Sequence, residues 1–477
     1  MARIGSMKKY PLRACGLCVL LIASTLFVGA CGSGGALLGA SLAGRYGAAV
    51  LPTLAVLEQS GVRRQPARLE SELRFRVRSA LADKRAGVLV AAMSRETVAA
   101  QVLLTGLNGT EGLPADTKTL LAEIPAGGAM LFKYNLGNGA GAAQSLAGNI
   151  YAALRSGAKA DGKYADGSLF VPPFIAADQE GGLVHRYGDD ATRLPAAAAF
   201  GQWSEGFANP VEGRARLRAL VEGAAYRSGR ELGLLGMNLN LAPVAETLDD
   251  RSLAFLDTRA YSRDGETAGI AAGAFVQGMR KAGIACVVKH FPGNAAMDPH
   301  LGMPVLDLDE AALDALFVSF GIAIRQGNPA ALMVSHIMVP ALDPVLPASL
   351  SPVIIDRVLR KRLQYGGLVV CDDLRMGAIR ATGREPAQAA VEALAAGVDL
   401  VLTWKEDLAL LRDALVSAME KGDLDEIRVR DAARRVLAVK LAYGIYDGQA
   451  SDPLASMETE LARLRSETER YLKEHGL

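Results

Sequence analysis

The chain has 477 residues, 50% of them hydrophobic and 22% charged, enough to bury a large core beneath an ordinary soluble surface. Its 52 Lys and Arg nearly cancel its 51 Asp and Glu, so no global field draws nucleic acid or an anionic surface; a neutral or locally recognised substrate fits better. With no zinc-ligand spacing, Walker loop or GxGxxG, and five scattered histidines, metal and nucleotide chemistry are disfavoured.

The first 31 residues carry a targeting pattern. Lys8, Lys9 and Arg13 precede an apolar run from Ala14 to Ala30, and the small residues Gly29 and Ala30 lead into Cys31. This is the charged region, hydrophobic region and cleavage site of a secretory signal, with Met7 as an alternative start. Val28-Gly29-Ala30-Cys31 resembles a bacterial lipobox, which makes Cys31 the lipidated first residue of an exported, membrane-anchored protein. A plain signal peptide or an uncleaved anchor helix is the alternative. Cys15 and Cys18 would leave with the signal, so Cys286 and Cys371 remain, both in apolar runs, and no structural disulfide is expected.

Residues 32–95 read as a Gly- and Ala-rich tether followed by a charged helical stretch near Arg68 to Lys84, a poor second membrane span. From residue 96 to 448 the pattern becomes regular. Short apolar runs occur near 102–106, 129–133, 173–177, 237–242, 285–290, 331–336, 368–372 and 399–403, most separated by helical periodicity. Leu313, Leu316, Phe317, Phe320 and Ile324 form one such helical stripe. Eight strand-helix units predict a closed (β/α)8 barrel of the TIM type, with a doubly wound open sheet as the alternative. A last barrel helix is expected from Ile427 to Leu441, and residues 449–477 form a charged helical tail.

Asp178, Lys289, His290, His336 and Asp372 end different predicted strands, which in a barrel brings them to one rim, where active sites of this fold are built. Asp372 and Asp373 follow a buried strand; one can point at the rim while the other caps the next turn, and capping alone is the bland reading. KHFPG at 289–293 places a cation and an imidazole at a strand end, costly unless they meet something polar. The following loop carries Asp298 and His300. A carboxylate bonded to an imidazole fixes its tautomer and raises its basicity, suiting a proton shuttle, although an isolated Asp-Pro-His is usually a turn. In DQEGGLVHR at 178–186, glycines allow a sharp turn, and Asp178 and Arg186 are placed to grip sugar hydroxyls from opposite sides; a plain polar loop is the alternative.

Taken together, DQEGGLVHR (178–186), LNLAPVAE (239–246), TRAYSRD (258–264), KHFPG with DPH (289–300), VSHIMVPALD (334–343), PASLSP (347–352), CDDLRMGAI (371–379) and AGVDLVL (396–402) resemble glycoside hydrolase family 3, in its bacterial β-N-acetylhexosaminidase branch. The likeness runs in order across residues 96–445. It implies Asp372 as nucleophile and His300 as acid/base with Asp298 as its partner. It implies that Asp178, Arg186, Arg259, Lys289 and His290 hold the terminal sugar, without metal or organic cofactor. The chain departs from the family pattern at Asn294, where histidine is usual, at Pro299, where serine is usual, at Glu246, where aspartate is common, and in a shorter loop before Asp298.

The implied activity is a retaining exo-β-N-acetylglucosaminidase acting on cell-wall muropeptide fragments or chitooligosaccharides. A β-glucosidase or β-xylosidase of the same family is one alternative. Such enzymes generally take the acid/base from an additional C-terminal domain, whereas this chain ends soon after the barrel. A non-catalytic sugar-binding lipoprotein is the other.

Overall fold

The computed structural model describes residues 66–160, 170–445 and 454–477. The chain divides into two compact units, residues 1–84 and 85–477. Of the first, only the start of helix α1 (Pro66–Ala91) is described, and the signal sequence, Cys31 and most of the tether lie outside the described residues. Among the described residues no helix is long and apolar enough to cross a membrane.

In the second unit, α2 (Arg95–Gln101) leads into β1 (Leu103–Gly106), α3 (Ala115–Glu123), β2 (Gly128–Met130), α4 (Ala140–Ala160) and β3 (Phe174–Ala177). Next come α5 (Ala197–Glu205), α6 (Pro210–Leu234), β4 (Leu239–Asn240), α7 (Gly265–Lys281), β5 (Ala285–Phe291), α8 (Glu310–Ile322) and β6 (Ala331–Val334). The order closes with β7 (Leu368–Cys371), α9 (Pro386–Ala396), β8 (Leu400–Trp404), α10 (Lys405–Lys421), α11 (Glu426–Ala442) and α12 (Leu454–Glu474). The eight strands pair in parallel, in sequence order, into a closed barrel, with β1 joined to β8 through Leu103↔Val401 and Thr105↔Thr403. Each of the eight anticipated apolar runs supplies one strand. The open-sheet alternative is thereby excluded.

Helix starts follow local chemistry. Asn209 accepts from the Val211 amide at 2.9 Å with Pro210 at the first helical position, and Asp309 accepts from Ala312 at 2.8 Å. In α8 the anticipated stripe faces inward, with Leu313, Phe317 and Phe320 buried. Cys286 and Cys371 are buried free thiols on β5 and β7, strands separated by β6.

The core inside the barrel obeys the two-residue period of strands. Leu104, Met130, Phe174 with Ala176, Leu239 with Leu241, Ala285 with Val287, Ala331 with Met333, Leu368 with Val370, and Leu400 with Leu402 form one buried cluster. Val436 and Ile445 join it from α11 and the residues after it. Each fully buried Leu or Val contributes roughly 1.5–3 kcal/mol relative to exposure.

The tail helix α12 packs along α6. Trp203 donates its indole N–H to His475 O at 2.8 Å, and the Arg227 guanidinium lies 3.9 Å from the Tyr471 ring centroid. Thr468 donates to the buried Glu231, which also accepts from the Thr192 amide at 2.7 Å.

Candidate active site

The same parity that fills the barrel aims the polar residues. Two positions beyond Ala176, Val287 and Val370 stand Asp178, Lys289 and Asp372, so each continues the inward face of its strand at the C-terminal mouth. Sequence and fold thus put the chemistry directly above the apolar core.

The β3 and β5 ends form a charged cage. Lys289, 3% exposed, donates to Asp178 Oδ1 at 2.7 Å and pairs with Glu180 Oε1 at 2.7 Å. Arg259 grips Glu180 with two bonds of 2.9 Å, and Arg186 Nη2 reaches Asp178 Oδ2 at 3.4 Å. Burial alone would raise both carboxyls. The charges of Lys289 and Arg186 outweigh it at Asp178, holding that group below the usual range; Lys289 and Arg259 bring Glu180 down to about 2. Burial would lower Lys289, but Asp178 and Glu180 raise it. The cage therefore holds three cations against two carboxylates, and the Arg186 Nε is buried with no hydrogen-bond partner among the described residues. Asp178 and Arg186 face each other as a pair, because the glycine turn folds Arg186 back over the strand end. Gly181 and Gly182 have φ of 100° and 54°, open to glycine at little cost.

His185 takes no place in the cage. Its Nε2 donates to Gly188 O, so Nδ1 accepts from the Gln179 amide at 2.6 Å, while Gln179 Oε1 accepts from Arg186 N at 2.8 Å. It fixes the loop that presents Arg186.

His290 Nδ1 donates to Glu246 Oε1 at 2.6 Å, and Asn294 Nδ2 donates to the same oxygen at 2.8 Å. Two of the departures from the family pattern, Glu246 and Asn294, thus meet each other. Phe255 lies edge-on to the His290 ring, with centroids 6.0 Å apart, and beneath the Arg259 guanidinium at 5.4 Å.

At the β7 end the two aspartates diverge. Asp373 accepts from Arg375 N at 2.9 Å and from the Trp404 indole at 2.6 Å, and burial raises its carboxyl. Among the described residues Asp372 accepts only from the adjacent Asp373 amide, at 2.9 Å, which leaves its other lone pairs without a protein donor there. Behind them, buried His336 donates from Nε2 to Asp373 O at 3.0 Å, so its Nδ1 accepts from the Ser349 hydroxyl at 2.7 Å; burial lowers its pKa. His336 is a neutral prop for the β7 turn.

Asp298 and His300 form the anticipated pair. His300 Nδ1 donates to Asp298 Oδ1 at 2.7 Å, and its backbone N–H donates to the same oxygen at 2.9 Å, leaving Nε2 as the nitrogen open to proton exchange. Burial would raise Asp298, but these His300 bonds and the imidazole charge lower it. The His300 side chain is 65% exposed. Its loop leaves β5 yet docks on the β7 turn: Gly377 N donates to His300 O at 3.1 Å and Ala378 N to Pro299 O at 2.9 Å. The loop that carries the imidazole and the turn that carries Asp372 are one hydrogen-bonded assembly.

Sequence reasoning missed three residues that hold the site's side chains in place. Glu180 lay in a motif already singled out, and its position two residues beyond Asp178 signalled its aim. Trp404 and Gly377 carried no charge or polar pattern to mark them. Among the described residues, no group of three or more His, Cys, Asp or Glu side chains is arranged to hold a metal ion.

Residues 115–439 match the family described as Glycosyl hydrolase family 3 N terminal domain. A protein named Beta-hexosaminidase from Thioalkalivibrio sulfidiphilus is 33% identical over 318 residues, covering 66% of this chain and 84% of the relative. Another of that name, from Alkalilimnicola ehrlichii, is 34% identical over 303 residues, covering 63% and 79%. A solved glycoside hydrolase family 3 β-N-acetylglucosaminidase from a Paenibacillus species is 31% identical, with a TM-score of 0.67 over 79% of this chain and 69% of that one. With the barrel and the family match in hand, the chain belongs to glycoside hydrolase family 3 and is a glycoside hydrolase.

Proposed function

We propose that the protein is a retaining exo-β-N-acetylglucosaminidase that removes terminal N-acetylglucosamine from cell-wall muropeptide fragments or chitooligosaccharides. The relatives named Beta-hexosaminidase support the sugar class. The observation that carries the mechanism is the Asp298–His300 pair held on the turn after Asp372.

In this reading Asp178, Arg186, Arg259, Lys289 and His290 orient the sugar, Arg259 acting chiefly by holding Glu180 against Lys289. Asp372 attacks the anomeric carbon while protonated His300 delivers its Nε2 proton to the leaving oxygen, giving a glycosyl-enzyme ester. Neutral His300 then takes a proton from water, whose oxygen displaces Asp372; two inversions retain the β configuration. Asp298 keeps the proton on Nδ1 and stabilises the imidazolium.

The experiment is a comparison of aryl N-acetyl-β-glucosaminide with aryl β-glucoside, with the first-formed anomer followed by proton NMR. Preference for the glucoside sinks the sugar assignment, and an initial α product sinks the retaining one.

Export and lipidation at Cys31 are part of the same proposal and rest on the lipobox-like sequence alone. Metabolic labelling with a fatty-acid analogue should mark the wild type and not Cys31→Ala.

A further inference from the structure

The family match ends at residue 439 and α11 completes the eighth strand-helix unit, so the barrel closes without α12. That helix nevertheless packs along α6 and buries Met457, Leu461 and Leu464. One side chain of α6 on this side is not apolar. Glu231, in the last turn of α6, is fully buried, and among the described residues no Lys or Arg forms an ion pair with it. A carboxylate there meets two costs, desolvation and the negative end of the helix dipole. Burial accordingly raises its pKa in spite of its hydrogen bonds. A seam built only for packing is better filled by an apolar side chain. What offsets the cost comes from two other segments. Oε2 accepts from the Thr192 amide at 2.7 Å, Oε1 accepts from the Thr192 hydroxyl at 3.1 Å, and Thr468 of α12 donates to Oε1 as well. Glu231 therefore connects α12 to the loop that follows β3.

Thr192 begins the stretch of that loop on which the glycine turn of the cage rests. Gly182 N donates to Leu194 O at 2.9 Å. A Cβ at Gly181 would lie 2.7 Å from Pro195 O, and one at Gly182 would lie 2.8 Å from Ala196 Cβ, so turn and stretch touch along their length. The turn in its turn sets the cage. Glu180 N donates to Val184 O at 3.0 Å and Arg186 N to Gln179 Oε1 at 2.8 Å, which keeps Glu180 against Lys289 and Arg186 against Asp178. Movement at Thr192 thus reaches the cage through close-packed backbone. A second residue of α12 acts on the same loop: the Arg465 charge, one turn before Thr468, opposes the burial that raises Glu231 and Asp190. We propose that α12 braces the sugar-holding turn, with Thr468 and Glu231 as positioning residues that act through Thr192 on Asp178, Glu180 and Arg186. This rests on the reading above that the cage holds the sugar.

Thr468→Val keeps the side-chain shape and removes the donor, Thr468→Ser keeps the donor, and Glu231→Leu removes the connector. Rates are measured well below each variant's Tm, on whichever of the aryl N-acetyl-β-glucosaminide and aryl β-glucoside the wild type prefers, so the sugar assignment and the brace are judged separately. A loosened cage loses binding common to ground and transition states, so KM should rise with kcat almost unchanged. The rise should be about fivefold in Thr468→Val and more than about tenfold in Glu231→Leu, with Thr468→Ser close to wild type. Arg186→Ala should itself raise KM. In that background Thr468→Val should add less than its factor in the wild type, because residues acting through one network couple. A lowered Tm with unchanged KM in Thr468→Val, or factors that multiply in full in the double variant, would overturn the brace and leave the cage intact. Unchanged KM in Arg186→Ala would overturn the reading of the cage, and the brace with it. Should Glu231→Leu fail to fold, the Thr468 variants decide alone.

Discussion

Gly377 donates its backbone N–H to the carbonyl oxygen of His300 at 3.1 Å, so the segment carrying the imidazole is anchored to the turn that begins at Asp372. A Cβ at Gly377 would sit 2.5 Å from that oxygen and 2.8 Å from Leu301 C, both backbone atoms that yield only if the loop moves. Gly377→Ala is therefore expected to displace His300 and leave Asp372 in place. Because displacement of a reacting group by about 1 Å can cost on the order of a hundredfold, kcat on a disaccharide should fall by about that factor. A dinitrophenyl glycoside, which needs little protonation, should lose far less in the first step. Equal losses on both substrates would show that the anchor does not serve proton transfer.

His300→Ala separates the two halves of the reaction. With a dinitrophenyl leaving group the glycosyl-enzyme should form quickly and then stall for want of a base, giving a burst followed by slow turnover. Azide needs no base, so it should rescue the second step and yield a β-glycosyl azide. A disaccharide should scarcely react. Absence of both burst and rescue would move the proton donor to Asp298 or to another carboxylate.

The adjacent aspartates should differ in kind. Asp372 accepts one local hydrogen bond, whereas Asp373 holds both the Arg375 amide and the Trp404 indole. Asp372→Ala should abolish turnover with Tm almost unchanged. Asp373→Ala should keep measurable turnover but lose about 1–3 kcal/mol of stability, because a partly buried indole N–H and the Arg375 amide lose their acceptor. Thermal unfolding beside steady-state kinetics decides, and a folded Asp372→Ala enzyme with near-normal rates would remove it as nucleophile.

The barrel was readable because its strands are buried on both faces and so appear as continuous apolar runs, and each of the eight runs became a strand. Ionisable residues ending those runs were readable for the same reason, since Asp178, Lys289 and Asp372 interrupt apolar parity where the barrel opens. Pairings across strands were not. Nothing local to Arg259 shows that it will meet Glu180, 79 positions earlier, or that Glu246 will meet Asn294. Phe132 and Trp404, whose rings stack with centroids 4.6 Å apart, were hidden in another way: they look like ordinary strand residues until closure of β8 against β1 brings them together. Gly377 was invisible because its contribution is the space left by a missing side chain.

Glu180 links the cage to acid stability. Its carboxyl, 7% exposed, is brought from 4.5 to about 2 by Lys289 and Arg259 against the cost of burial. Because the folded-state pKa is depressed, this contribution is complete above pH 4.5 and is lost as pH falls towards 2. It amounts to about 3 kcal/mol. Glu180→Gln strands Arg259 beside Lys289 without their shared anion, so it should destabilise by about 3–5 kcal/mol at pH 7 and weaken sugar binding. Its stability should also fall less steeply than wild type between pH 5 and pH 3. Parallel pH profiles for the two proteins would contradict the pairing.

Lys440 is the opposite case, because no anion pairs with it among the described residues. It is fully buried under the barrel floor, its ammonium within 3.1 Å of Gln101 Oε1 and 5.3 Å from the Phe174 ring centroid. Among the described residues no carboxylate pairs with it, and burial lowers its pKa from 10.5 to about 7. Since the folded-state value is depressed, the stability it permits is greatest above pH 10.5, declines as pH falls from 10.5 towards 7 while only the unfolded chain takes up the proton, and levels off below 7. A shift of this size corresponds to roughly 5 kcal/mol. Lys440→Met fills similar volume without charge but leaves the Gln101 oxygen unpaired, at about 1–3 kcal/mol. At pH 6 the first effect exceeds the second, so the variant should be the more stable protein by denaturant unfolding. By pH 10.5 the advantage should vanish or reverse, because the lysine is then neutral in the folded protein and already half neutral in the unfolded chain. Stability curves that remain parallel from pH 6 to pH 10.5 would show that Lys440 stays protonated in the folded protein, and that the floor of the barrel solvates a cation far better than its lining indicates.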